Sequence, residues 1–176
     1  MSEFSESFHL KTDAKNEGKK LLKSIGVNGI VFEETNGWVT VIHEGELNSQ
    51  ISPMSSYNGI IVHYMYAEDH AWMLNVFYQG NSVCNFVCAW DPEIHIEDKS
   101  LNFKELSKLI VSYESLQEFE ELFSLNEIEK IFKVNPAYTF AKLIGLEHYK
   151  WLSGQNIIEH SEEIIKNNTG AELIKA

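Results

Sequence analysis

The chain has 176 residues, 44% hydrophobic and 12% aromatic, enough to bury a substantial core in a single domain. Its 26 acidic residues outweigh 14 basic ones, giving a formal net charge of −12, and every basic residue is lysine. An acidic chain with no arginine fork to grip phosphate excludes nucleic acid and anionic membrane as expected partners.

Residues 1–11 are polar and acidic, unlike a basic segment leading into an apolar one, and no apolar run approaches the roughly 18 to 20 residues of a membrane span. The expectation is a cytoplasmic protein. Residues 7–11 alternate briefly and read as a first edge strand. Thr12 or Asp13 offers an N-cap for a helix over 14–24, with Gly26 placed to end it. The pair Asn36-Gly37 is a strong hairpin signal, because a type I′ turn needs positive φ at both central positions. It joins strands over 29–34 and 38–43, with Trp38, Thr40 and Ile42 facing one way and Val39, Val41 and His43 the other. Residues 44–58, which include Pro53 and several serines, read as a mobile loop or short helix.

Residues 59–90 form three apolar, aromatic and β-branched runs separated by two short polar breaks, the pattern of an antiparallel meander. Gly80-Asn81 suits a two-residue turn setting Tyr78 opposite Val83 and Asn75 opposite Phe86. Glu68-Asp69 is a second turn, setting Tyr66 opposite Ala71. In that register one face collects Ile60, Val62, Tyr64, Tyr66, Met73, Asn75, Phe77, Cys84, Phe86, Cys88 and Trp90. Ile61, His63, Met65, Trp72, Leu74, Val76, Tyr78, Val83, Asn85 and Val87 lie on the other. Both faces are largely apolar, so each needs a cover, supplied by helices of this chain or by a partner. Cys84 and Cys88 share a face about 13 Å apart along one strand, too far for a mutual disulfide, and read as buried free thiols.

Ile94 and Ile96 alternate with Glu93, His95 and Glu97 in a further edge segment, kept from aggregation by its charges. From Ser100 the period becomes helical. Asn102 with Glu105, Ser115 with Glu118 and Ser124 with Glu127 are three capping-box patterns, Asn135-Pro136 opens a fourth helix that Gly145 ends, and residues 155–167 make a last amphipathic helix before a fraying tail. Residues 1–99 carry 6 lysines and 14 acids, net −8, and residues 100–176 carry 8 and 12, net −4.

No G-x-S-x-G, P-loop or dinucleotide-binding pattern is present. Glu68, Asp69 and His70 place two carboxylates and an imidazole in one turn, but neighbouring turn residues rarely aim at one point, and no metal or cofactor is called for. Ala141, Gly145 and Trp151 have helix-turn-helix spacing, yet the second helix offers one lysine. His63, mid-strand on an apolar face, reads as a core histidine.

Asn36-Gly37-Trp38-Val39-Thr40-Val41, the acidic break before Trp72, Tyr78-Gln79-Gly80 and the A-x-x-L-G-L segment Ala141 to Leu146 together resemble a scattered group of small uncharacterised bacterial proteins. That resemblance implies a bacterial origin and an α+β fold, with no active site to carry over.

The expected architecture is α+β. A mainly antiparallel sheet of five or six strands with one N-terminal helix, residues 1–99, is followed by a C-terminal helical subdomain, residues 100–176, packed on it as one folding unit. The leading functional expectation is a non-enzymatic interaction protein, immunity-like in one version, that binds a basic protein partner or a second copy of itself. The alternative is a small-molecule-binding protein or hydrolase with a pocket between sheet and helices. Candidate binding residues are Trp38, Tyr64, Glu68, Asp69, His70, Trp72 and Trp90.

Overall fold

A computed structural model of the protein describes residues 2–45, 57–154 and 157–176. The loop or helix expected over 44–58 lies mostly outside the described residues. The described strands make one antiparallel eight-stranded sheet rather than one of five or six. They are β1 (Phe4–Lys11), β2 (Gly29–Val31), β3 (Trp38–His43), β4 (Ile60–Ala67), β5 (Ala71–Tyr78), β6 (Asn81–Ala89), β7 (His95–Leu101) and β8 (Glu172–Ile174), in the order β7-β6-β5-β4-β1-β3-β2-β8. Two of these places correct the sequence reading. β1 begins at Phe4 and runs through the middle of the sheet instead of along its edge, and the tail expected to fray returns as β8 beside β2.

Turn chemistry sets the registers. Asn36 and Gly37 have φ of 56° and 78°, as a type I′ turn requires. The next hairpin turns at Gln79-Gly80, with φ of 49° and 76°, not at Gly80-Asn81. Tyr78 therefore pairs with Asn81 and Leu74 with Phe86. At the other end the turn spans three residues, Glu68 to His70, so Ala67 pairs with Ala71 and Tyr66 with Trp72. Each correction moves β5 by one position, and a one-residue slip exchanges its faces. Trp72, Leu74 and Val76 join Tyr64, Phe86 and Cys88 on the buried face, while Met73, Asn75 and Phe77 turn to the other.

That buried face meets helices α2 (Phe103–Leu106), α3 (Leu116–Glu121), α4 (Ile128–Val134) and α5 (Pro136–Leu143). Their Leu106, Phe119, Ile131 and Phe140 fill a core with Trp72 and Phe86. The caps operate where expected at two of the four starts. Asn102 accepts from Glu105 N at 3.3 Å, and Asn135 accepts from Tyr138 N at 3.1 Å, ahead of Pro136. Ser115 makes no side-chain cap, and α4 starts after Glu127. The helical run that Asn102 opens is broken after Leu109, where Ile110 becomes extended. Helix α6 (Ile157–Asn167) covers Ile30, Phe32 and Ile42 on the same side.

Helix α1 (Lys15–Ile25) lies on the opposite face, with Leu21 and Leu22 against Leu10, Val31, Val39 and Val41. Gly18 permits the close approach, since a Cβ there would come within 2.8 Å of Val31 Cγ1 and 2.9 Å of Val41 Cγ2. The helix packs against β2, β3 and β8, and its core cluster takes in Phe8 and Leu10 of β1 and reaches Ile61 of β4 and Phe77 of β5.

Candidate functional site

Of the expected binding residues, Glu68, Asp69, His70 and Trp90 meet at one end of the sheet. The first three are exposed in the β4–β5 turn. Trp90 follows β6, its backbone N–H bonded to His70 O at 2.8 Å and its indole N–H donating to Glu68 O at 3.2 Å. Asp91 Oδ2 lies 3.0 Å from His70 Nδ1, and Asp69 accepts from the Ser2 hydroxyl. The Trp90 ring stands 6.0 Å from that of Phe132, which is 56% exposed on α4. No group of three His, Cys, Asp or Glu among the described residues is placed to share a metal ion.

Trp38, Tyr64 and Trp72 are core residues. Trp38 donates from its indole to Ile144 O at 2.8 Å and carries the Lys11 ammonium 4.5 Å above its ring. Space beside Trp72 is filled by the rings of Phe123 and Phe140 at 5.6 and 5.9 Å. Tyr64 is fully buried among Glu3, Tyr66, Tyr138 and Tyr149, and burial followed by the Glu3 charge holds its hydroxyl well above the usual tyrosine range. Cys84 and Cys88 are buried free thiols, which burial pushes up to about 12 and about 11.

Beyond α1, the second sheet face has a distinct surface. Buried and half-buried residues alternate along β4, β5 and β6, the pattern of a sheet with one side in solvent. Cross-strand pairing aligns Glu6, Met65, Met73, Val87 and Glu97 in one row, with Phe4, Ala67, Ala71, Ala89 and His95 beside it. A third row runs through Phe8, His63, Asn75 and Asn85. The centre is therefore apolar and half-exposed. Glu6 Oε1 receives His63 Nε2 at 2.9 Å, with side chains 25% and 18% exposed, so His63 is not the fully buried core histidine its neighbours imply. Burial raises the Glu6 carboxyl, but the His63 hydrogen bond and the charges of His63 and His43 outweigh it and leave it below its ordinary value. Acidic groups ring this face: Glu6 and Glu97 along it, and Glu68, Asp69, Asp91 and Glu93 at the turn end, while Asp98, paired with Phe86, points to the helix-covered side. Against them the same strands and turns offer Lys99, already paired with Glu97 at 3.0 Å.

A second constellation was hidden in residues 1–11. Glu3, Ser5, Ser7 and His9 all point into the core from the middle of the sheet and are at most 4% exposed. Ser7 Oγ lies 2.9 Å from His9 Nε2, and His9 Nδ1 lies 3.1 Å from Thr40 Oγ1. Burial, then His148 and His63, pushes His9 down to about 3, so the ring is neutral and sealed from substrate. Glu3 accepts from Ser5 Oγ at 2.6 Å, from Trp151 N at 2.9 Å and from the Tyr138 hydroxyl. These bonds hold the irregular stretch 147–153, which with α6 encloses an open cleft of about 850 Å³ lined by Glu147, His148, Trp151, His160, Glu163 and Asn167. Alternation of Glu3, Ser5, Ser7 and His9 with Phe4, Phe8 and Leu10 was the available signal for this strand.

No helix among the described residues is long and apolar enough to cross a membrane. The chain matches no protein-family model, no curated protein and no solved structure.

Proposed function

We propose that this chain is a non-enzymatic interaction protein whose open face on β4, β5 and β6 receives a basic protein partner. The observation carrying this reading is the combination on one surface of a half-exposed apolar centre, Met65, Met73 and Val87, with a rim of six carboxylates, Glu6, Glu68, Asp69, Asp91, Glu93 and Glu97, and one lysine. Burial of the centre supplies affinity, while the acidic rim selects and steers a lysine- or arginine-rich surface. Phe132, 56% exposed beside Trp90, extends the acidic turn end with apolar contact area.

The test is capture from the native cell lysate by the wild-type chain and by two variants, Met73→Asp in the centre and Glu97→Lys at the rim. A basic protein retained at low salt, released by high salt and lost with either variant supports the reading. Retention unaffected by both variants refutes this location. Self-association through the same face is the version that sedimentation would reveal, as a dimer that Met73→Asp dissociates.

The cleft beside α6 favours a second reading, a small-molecule-binding protein. Its mixture of exposed aromatic, imidazole and carboxylate groups is the kind of lining that fixes polar ligands. Ligand retained through purification, and lost in a Trp151→Ala variant, would move the assignment there.

A further inference from the structure

At the other end of the meander, away from the acidic turn, the sheet and the helices fail to close. A pocket of about 140 Å³ opens there, walled by Ile60, Val76, Val83 and Leu109. Its cause is a register irregularity. Val76 pairs with Cys84 but Phe77 pairs with Ser82, so Val83 is an extra residue on β6. A bulge of this kind re-aims one side chain and bends the strand, and Val83 leans toward the core although Cys84 next to it does the same. The wall is pre-formed: Asn102 N bonds Val83 O at 2.9 Å, and Asn102 also caps α2, which carries the rim residue Glu105. Gln79 N bonds Gly59 O at 2.9 Å, tying the hairpin to the start of β4 on the opposite wall.

The rim differs from the walls. Lys108 Nζ lies 2.7 Å from both oxygens of Glu105, so the two charges neutralise each other, and Tyr78 beside them is 42% exposed. A dry apolar cavity of roughly 150 Å³ is large enough for one benzene-sized molecule. From this we infer that the pocket is a binding site for a compact apolar molecule of about single-ring size carrying one neutral hydrogen-bonding group, the ring inside and the polar group at the Tyr78, Glu105 and Lys108 rim. A carboxylate or ammonium head would have to compete with the existing ion pair, so charged analogues bind more weakly. The site shares no residue with the acid-rimmed face, and neither proposal depends on the other.

The experiment is a titration of the full chain with phenol, benzoate and benzylammonium, followed by amide chemical shifts. Phenol is expected to bind saturably with a Kd of about 1 mM or tighter, moving the amides of Ile60, Val83 and Leu109 and leaving those of Met65 and Met73 in place. Val83→Phe and, independently, Ile60→Phe fill the pocket and weaken phenol by at least about tenfold. Non-saturable shifts, shifts scattered over the molecule, or phenol binding undiminished in a folded filling variant would overturn the site. Benzoate or benzylammonium binding more tightly than phenol would overturn the neutral-head assignment.

Discussion

The hydroxyl of Tyr138 on α5 donates to the carboxylate of Glu3, a residue 135 positions earlier in the chain. That bond joins the strand in the middle of the sheet to the helical layer. Glu3 also receives Trp151 N at 2.9 Å, so one carboxylate holds both α5 and the stretch lining the cleft. Burial and the Glu3 hydrogen bond raise the Tyr138 hydroxyl above its usual range. Glu3→Ala is expected to destabilise the protein by about 2–4 kcal/mol, because it strands buried donors, and Tyr138→Phe by about 1–2 kcal/mol. Urea unfolding of both single variants and the double variant measures the coupling, and strictly additive losses would show that the bond contributes nothing.

The register of β5 is tested by two neighbouring residues. Trp72 is fully buried and Met73 half-exposed on the opposite face. Trp72→Ala should cost about 3–5 kcal/mol and Met73→Ala less than about 1.5 kcal/mol. Comparable losses by thermal unfolding would contradict the faces described.

The turn between β5 and β6 places Gln79 and Gly80 at positive φ, 49° and 76°. Gln79→Asn should stabilise by up to about 0.5 kcal/mol, and Gly80→Ala should destabilise by about 1 kcal/mol. Chemical denaturation midpoints decide this, and a neutral Gly80→Ala would place the turn elsewhere.

His9 makes stability depend on pH. Its folded value of about 3 lies below the ordinary 6.5, so the unfolded chain binds a proton that the folded chain excludes. The unfolded state therefore gains as pH falls below about 6.5, and stability declines progressively until pH nears about 3. Above that window His9 contributes no pH dependence. His43, lowered chiefly by burial, acts in the same direction. Unfolding free energies measured across this window should fall less steeply in His9→Gln, and an unchanged slope would dispose of the assignment.

The thiols of Cys84 and Cys88 are buried and raised to about 12 and about 11. At pH 8 both should resist alkylation in the folded protein and react fully in denaturant. Rapid labelling of the native chain, followed by peptide mass mapping, would show that the sheet opens near β6.

Much of the layout was legible in the sequence through local chemistry. Asn36-Gly37 determined a hairpin because few other pairs accept two positive φ angles, and Asn102 and Asn135 each supplied the acceptor that a helix start needs. Hydrophobic period separated the strands of residues 59–90 from the helices after 100. The acid-bearing turn and its tryptophan, Glu68 to His70 with Trp90, were recognisable as neighbours because each ends a strand of the same meander.

Other features belong to the tertiary structure, because they depend on contacts between distant segments. The sequence permitted two registers for β5, both apolar on either face, and only the helices packed over Trp72 separate the buried face from the open one. Glu3, Ser5, Ser7 and His9 have the polarity of an exposed edge strand. They are buried because Trp151, Tyr138 and Thr40 satisfy their hydrogen bonds from 31 to 148 positions away. Likewise β8, three residues long, acquires its place from pairing with β2 and from Glu172, whose carboxylate meets Lys15 at 2.9 Å and Lys19 at 2.6 Å. Local sequence thus determined where the chain turns and which segments are strand or helix, through backbone sterics and hydrophobic period. Which face the helices bury was decided by long-range packing, since α2 to α6 gather on one side of the sheet and α1 packs against β2, β3 and β8 on the other.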